Sequence, residues 1–185
     1  MVDTILTIEQ LWIEFYSIKT QKKSKTKVSN EDKWRVLLAQ ISQKSFYEID
    51  GTTMSVYGDC DLVTDKLSNS IDTVSFQYIT FDRLCTLFLP KLKKLTNLSH
   101  IILKNNYLTN FDEIYKLKAL TQVKSLTIEQ NPICTMSNIL KPFCVANMKS
   151  LTIFNGSSIL DEDRNHAHLL FGMFLNKVIT HLKIR

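Results

Sequence analysis

The sequence predicts an α/β fold: short parallel strands stacked into a curved solenoid with the sheet on its concave face, flanked by N-terminal helices and a C-terminal cap helix. Three observations predict it. A pattern of apolar residues and asparagine recurs at an interval of about 25 residues in the second half of the chain. The two ends of the chain carry helical apolar spacing instead. Only four glycines and three prolines punctuate 185 residues, too few for the frequent turns of an all-β sandwich. With 44% hydrophobic side chains, the chain is long and apolar enough to bury one sizeable core.

At the start, Ile5, Ile8, Leu11, Trp12 and Phe15 fall three and four residues apart, which places them on one face of a helix that needs a partner surface. A lysine-rich linker follows. Ser29 then stands three residues before Asp32 in a capping-box-like arrangement, with Trp34, Leu37, Leu38 and Ile41 at helical spacing behind it. Asp50-Gly51 closes this region, so residues 1–50 are expected to form an N-terminal helical segment with a basic linker. Residues 51–160 carry the repeats and their cap, and residues 161–185 a last helix.

The repeats have the form L-x-x-L-x-L-x-x-N-x-L. Leu98, Ile101, Leu103, Asn106 and Leu108 fill its five fixed places, and Val123, Leu126, Ile128, Asn131 and Ile133 fill them again. Upstream, Ile71, Val74, Phe76 and Phe81 fit, but Ile79 stands at the asparagine place. Downstream, Met148, Leu151 and Ile153 fit before the pattern gives way to Phe154-Asn155-Gly156, as expected of the outer repeats of a stack. Two alternating apolar residues point inward from a short strand, and the asparagine side chain serves main-chain groups left unpaired where the chain bends.

With these residues in hand, the chain resembles the leucine-rich-repeat family, in particular the short-repeat subclass that ends in a C-terminal cap. Asn131-Pro132 runs toward Leu151-Thr152-Ile153-Phe154-Asn155-Gly156-Ser157-Ser158-Ile159 and Asp163-Arg164, similar to the L-K-x-L-D-G-x-x-V segment and acidic-arginine pair of that cap, with Asn155 where an aspartate is usual. The resemblance covers residues 70 to 165. It implies a non-catalytic scaffold for protein–protein interaction, a subunit of an intracellular hetero-oligomeric complex. The segment Asp161 to Gly172 is similar to ciliary and tubulin-modifying-complex members, so the resemblance implies other protein subunits, and tubulin or microtubules, as partners. Cytoplasm, cilium or cytoskeleton are the expected locations; an alternative is a nuclear ribonucleoprotein or mRNA-export component.

On the predicted register, Ser75, Ile102, Thr127 and Thr152 form the central row of the concave face, Gln77, Lys104, Glu129 and Phe154 one flank, and Thr73, His100, Ser125 and Ser150 the other. This surface is flat, carries no charge cluster, and suits a helix or loop of a protein partner. The partner-binding candidates are Tyr78, His100, Ile102, Lys104, Thr127, Glu129, Thr152 and Phe154, with Tyr78, Ile102 and Phe154 as anchors. Leu169, Leu170, Met173, Phe174 and Val178 supply apolar surface expected to cover the open end of the stack.

The net charge of +5 resides in Lys19, Lys22, Lys23, Lys25 and Lys27; without them the basic residues equal the 18 acidic ones. A solvated linker accounts for such a run, and attraction to an anionic partner, a tubulin tail or RNA, is the functional alternative. No aromatic interleaving or nucleic-acid motif accompanies it. Asp3, Glu9 and Glu14 interrupt the apolar start, which speaks against a secretory signal, and no stretch approaches the roughly 20 residues that cross a bilayer, so no membrane association is expected. Cys60, Cys85, Cys134 and Cys144 are scattered as buried hydrophobes would be, and no cofactor or metal is expected. Gly51, Gly58, Gly156 and Gly172 are isolated, and neither GxSxG nor HExxH occurs, so no enzyme signature is present.

Overall fold

The computed structural model of the chain describes residues 2–20, 30–60 and 65–172. Helix α1 (Val2–Thr20) and helix α2 (Asn30–Gln43) pack side by side. They lead into strands β1 (Phe46–Asp50) and β2 (Thr53–Tyr57), an antiparallel hairpin turned at Gly51, whose φ is 57°. The boundary expected at residue 50 therefore falls inside a hairpin: sheet structure begins at Phe46. Neither strand stood out in the sequence, because β1 carries two acids on one face and β2 lies outside the matches to the repeat pattern.

From β2 onward the strands run parallel: β3 (Thr73–Gln77), β4 (His100–Lys104), β5 (Ser125–Glu129) and the two-residue β6 (Ile153–Phe154). A short antiparallel β7 (Ser157–Ser158) closes a seven-stranded sheet whose spatial order is the chain order. This is the strand arrangement of a leucine-rich-repeat solenoid. Met54 and Val56, Val74 and Phe76, Ile101 and Leu103, Leu126 and Ile128 point from one face into a continuous core. Burying each such side chain contributes roughly 1.5–3 kcal/mol, a gain no single repeat can realise without neighbours.

The other wall of the core is built by the segments that return to the next strand. After β3, α3 (Phe81–Arg83) passes through a widened turn, in which Leu89 N–H reaches Leu84 O, into α4 (Leu89–Leu92). Pro90 lies just after that turn, and the wider loop of chain relieves the clash that a proline ring makes with the preceding turn. After β4 comes α5 (Phe111–Tyr115), capped by Asn110, whose side chain accepts from Glu113 N–H while the Glu113 carboxylate accepts from Asn110 N–H. After β5 comes α6 (Ser137–Asn147). Phe81, Leu84 and Phe88, then Ile114 and Leu117, then Leu140 and Cys144 turn inward.

Each parallel strand ends in one residue of left-handed conformation: Gly58, Tyr78, Asn105, Gln130 and Asn155. The N–H groups of Gly58, Tyr78 and Asn105 donate to the last carbonyl of the next strand, so this bend prolongs the ladder while turning the chain. At Gly58 the requirement is also one of space, since a Cβ there would lie 2.4 Å from Ser45 Oγ. Asn106 and Asn131 are buried in the bend, as expected of the ninth repeat position, and each bonds back to a main-chain carbonyl of the preceding repeat.

At the far end, α7 (Asp161–Ala167) starts where the Asp163 carboxylate accepts from Leu160 N–H. Lys141 holds Asp163 at 2.7 Å and pulls its carboxyl below the usual carboxylate range, and Arg164 donates to Leu151 O at 2.7 Å. The acidic-arginine pair is thus a structural clasp. Leu169 and Leu170, expected to cover the stack, are exposed, because the helix widens into a five-residue turn (His168–Gly172) that brings Phe171 against Phe143 instead. Met173, Phe174 and Val178 lie outside the described residues.

Candidate partner-binding face

The concave surface is assembled by register. Ser55, Ser75, Ile102 and Thr127 stand side by side across β2 to β5. Tyr57, Gln77, Lys104 and Glu129 form the row toward the strand ends, and Thr53, Thr73, His100 and Ser125 the row toward the strand starts. Of the predicted site residues, His100, Ile102, Lys104, Thr127 and Glu129 do converge on this face. His100 and Glu129 are exposed, whereas Ile102, Lys104 and Thr127 are half-buried between their neighbours. His100 Nδ1 lies 2.6 Å from the Ser99 hydroxyl, which fixes the ring.

Three predicted residues do not belong to the open face. Phe154 is in register with Leu126 and points into the core, 6% exposed. Thr152 consequently lies just before β6, donating to Lys124 O, rather than beside Thr127, and Ser150 donates to Val123 O. The slip is three residues: the strands are spaced 27 residues (Thr73 to His100), 25 (His100 to Ser125) and then 28 (Ser125 to Ile153). The motif opens with apolar places three apart, so Leu151 and Phe154 satisfy it as well as Met148 and Leu151 do. Asn155 follows β6 and accepts from Ile128 N–H at 2.8 Å.

Tyr78, the third, is 4% exposed and packs edge-on against Trp12 of α1, ring centroids 6.1 Å apart. Burial and the Glu9 carboxylate push its phenol above the ordinary value. Ile8, Trp12, Leu37, Ile41 and Tyr78 form a second core, with Phe46, Tyr57 and Tyr107 partly buried against it. The expected apolar face of α1 therefore finds its partner surface at the C-terminal ends of β2, β3 and β4. Sequence reasoning missed this contact. Tyr57, Tyr78 and Tyr107 sit at strand ends 20 to 30 residues apart, outside the fixed positions of the repeat. The helices roof that end of the groove, and the side chains of Phe15, Tyr16 and Trp34 lie outside the described residues, as do those of Lys19, Lys22, Lys23, Lys25 and Lys27.

The chemistry of this face is that of contact. Its central side chains are hydroxyls and one aliphatic group, and its charges, His100, Lys104 and Glu129, are dispersed. Burial pushes the Cys144 thiol up to about 12 and the Cys85 thiol up to about 11, which keeps both protonated and inert at neutral pH. Among the described residues, no three His, Cys, Asp or Glu side chains cluster as metal ligands would, and no helix is long and apolar enough to cross a membrane.

No protein-family profile and no curated protein sequence matches the chain. Among solved structures, it is similar to the Drosophila melanogaster SNF/U2A′ complex at 15% identity, covering 77% of this chain and 95% of that one, with a TM-score of 0.49. It is also similar to the Mex67 LRR domain from Chaetomium thermophilum at 18% identity, covering 74% and 80%, with a TM-score of 0.41. The Chaetomium Mex67:Mtr2 subunits match at 18% identity over 74% and 77%, with a TM-score of 0.41. Likenesses this low carry neither partner nor activity over to this chain.

Proposed function

We propose that this protein is a non-catalytic scaffold subunit of an intracellular complex, holding a helix or loop of a partner protein against its concave sheet. The observation that carries this reading is the in-register pair Ile102–Thr127, short-chained and half-buried beside the buried Ser75, flanked by His100, Lys104 and Glu129 and roofed on one side by α1 and α2. Short side chains let a helix approach the sheet closely, and Ile102 supplies an apolar contact at its centre.

The finer reading, a microtubule-associated complex of the tubulin-modifying kind, rests on the resemblance of residues 161–172. A ribonucleoprotein or mRNA-export role is the second reading, favoured by the five lysines between Lys19 and Lys27, which carry the whole net charge.

The test is mass spectrometry of proteins co-purifying with the tagged native chain and with an Ile102→Glu/Thr127→Arg variant, at low and raised salt, with and without nuclease. Partners retained by the native chain after nuclease and lost by the folded variant support the concave-face scaffold. An unchanged partner set in the variant would refute it, and partners released by nuclease would move the assignment to the ribonucleoprotein reading.

A further inference from the structure

The concave rows of β2 to β5 continue onto β1, and there the face changes character. Phe46, Glu48 and Asp50 stand in register with Tyr57, Ser55 and Thr53. Phe46 stacks on Tyr57, ring centroids 4.6 Å apart, while Glu48 is half-buried and Asp50 exposed. Residues two apart on a strand share a face, so the two acids lie together where the central row begins. Neither meets a cation across the sheet, because β1, β2 and β3 contain no lysine or arginine. The first cation of the face, Lys104 on β4, is in register with Glu129 on β5, which offsets it. Lysines recur instead outside the sheet: Lys66, Lys93 and Lys118, all exposed, each stand seven residues ahead of a strand. In a chain of net charge +5, the start of the concave face is therefore negative.

Resting on the scaffold reading, we propose that the partner element held on the concave face is a basic amphipathic helix lying across the strands, with Lys or Arg side chains over Glu48 and Asp50 and an apolar side chain on Ile102. The in-register row Glu48–Ser55–Ser75–Ile102 gives its path. Three strand steps make that path about 14 Å long, a little under three turns of helix at about 5.4 Å each. Ser55 and Ser75 are short, so a helix can lie low between the two ends. Phe46 and Tyr57, packed against the α1–α2 core, wall the path on one side. An acidic or neutral helix laid there would desolvate both carboxylates without compensation, and the phosphates of a nucleic acid would meet like charge. Charges on an edge strand also discourage strand-to-strand aggregation. That role is indifferent to the sign of an approaching helix, so the sign is what the experiment reads.

Nuclear magnetic resonance titration of the isotope-labelled full chain with designed alanine-based helical peptides tests this. One peptide carries a leucine and, roughly three turns away on the same face, a pair of lysines one turn apart; in the other, glutamates replace the lysines. The lysine peptide is expected to shift the amides of Ser55, Ser75 and Ile102 and to bind about tenfold tighter than the glutamate peptide, with the preference shrinking as salt is raised. Glu48→Gln/Asp50→Asn is expected to abolish the preference and Glu48→Lys/Asp50→Lys to reverse it, the remaining amide spectrum staying native in both. Equal binding of the two peptides, a preference that survives the charge reversal, or no shift along this row at millimolar peptide would overturn the proposal. If co-purifying partners still depend on Ile102 and Thr127 after such a result, the concave-face scaffold stands and only its basic occupant falls; partners indifferent to Ile102 and Thr127 would overturn both.

Discussion

Asn131 completes the main chain of Asn106: its Oδ1 accepts the Asn106 N–H at 2.8 Å and the Leu108 N–H at 3.2 Å, one repeat away. Its Nδ2 donates to Leu103 O and Glu129 O at 3.0 and 2.7 Å. One amide therefore satisfies four main-chain groups, most of them out of reach of water. Asn131→Ala would strand them, at about 1–3 kcal/mol for each group left buried and unpaired, and is expected to cost about 4 kcal/mol in total. Asn106, whose Nδ2 reaches Ile79 O alone, should cost about 1–2 kcal/mol on the same change. Urea denaturation of the two variants checks the ordering; equal losses would mean that the amide bonds are not what distinguishes the two sites.

Gly58 and Gly51 form a matched pair for separating backbone strain from crowding. Both have positive φ, but a Cβ at Gly51 meets nothing within 4 Å, while at Gly58 it meets Ser45 Oγ at 2.4 Å and the Ile41 carbonyl at 3.3 Å. Gly51→Ala should lose about 1 kcal/mol, the left-handed penalty alone. Gly58→Ala should lose about 3 kcal/mol, and Ser45→Ala in the same chain should recover only part of it, since the Ile41 backbone remains in place. Thermal unfolding of the three variants beside the native chain measures each difference.

Whether the helical hairpin is anchored by Tyr78 is open to a spectroscopic test. Tyr78→Ala removes the ring that Trp12 meets edge-on and is expected to destabilise the chain by about 3–4 kcal/mol. In a Trp34→Phe background, the emission of Trp12, 2% exposed in the native chain, should shift to the red as the helices loosen. An unshifted spectrum would show the hairpin held by Ile8, Leu37 and Ile41 without the tyrosine.

The Lys141–Asp163 clasp predicts a dependence on pH. Lys141 and the Leu160 N–H hold the Asp163 carboxyl below its ordinary value, so the charged form is favoured in the folded state. The contribution is present above the ordinary carboxylate value and is lost as pH falls through the lowered folded value. Asp163→Asn should thus lower the melting temperature at pH 7 by an amount worth under about 1 kcal/mol for a pair that stays in partial contact with water, and the gap to the native chain should close toward pH 3. A gap of equal size at both pH values would mean that charge is irrelevant to the clasp.

The repeat pattern in the sequence marks the middle of the solenoid because its residues are determined by position: Ile101, Leu103 and Asn106 recur at Leu126, Ile128 and Asn131 and are buried alike, although the two asparagines differ in their hydrogen bonds. It misplaces Phe154 because α6 lengthens the last interval to 28 residues, and the motif tolerates a three-residue slip. It says nothing of Tyr78, which meets residues some 65 positions earlier through a contact that no spacing rule encodes. The concave candidates between His100 and Glu129 were legible for the same reason as the core. Inward and outward residues alternate along each strand, so fixing one set fixes the other.

Stacked-repeat proteins touch only their neighbours and tend to fray from the ends inward. Here α1 and α2 bear at once on Tyr57, Tyr78 and Tyr107, at the ends of three successive parallel strands. That contact acts as a splint. Hydrogen exchange in β2, β3 and β4 should proceed through a single shared opening, and a partner that levers the splint away would release three repeats together.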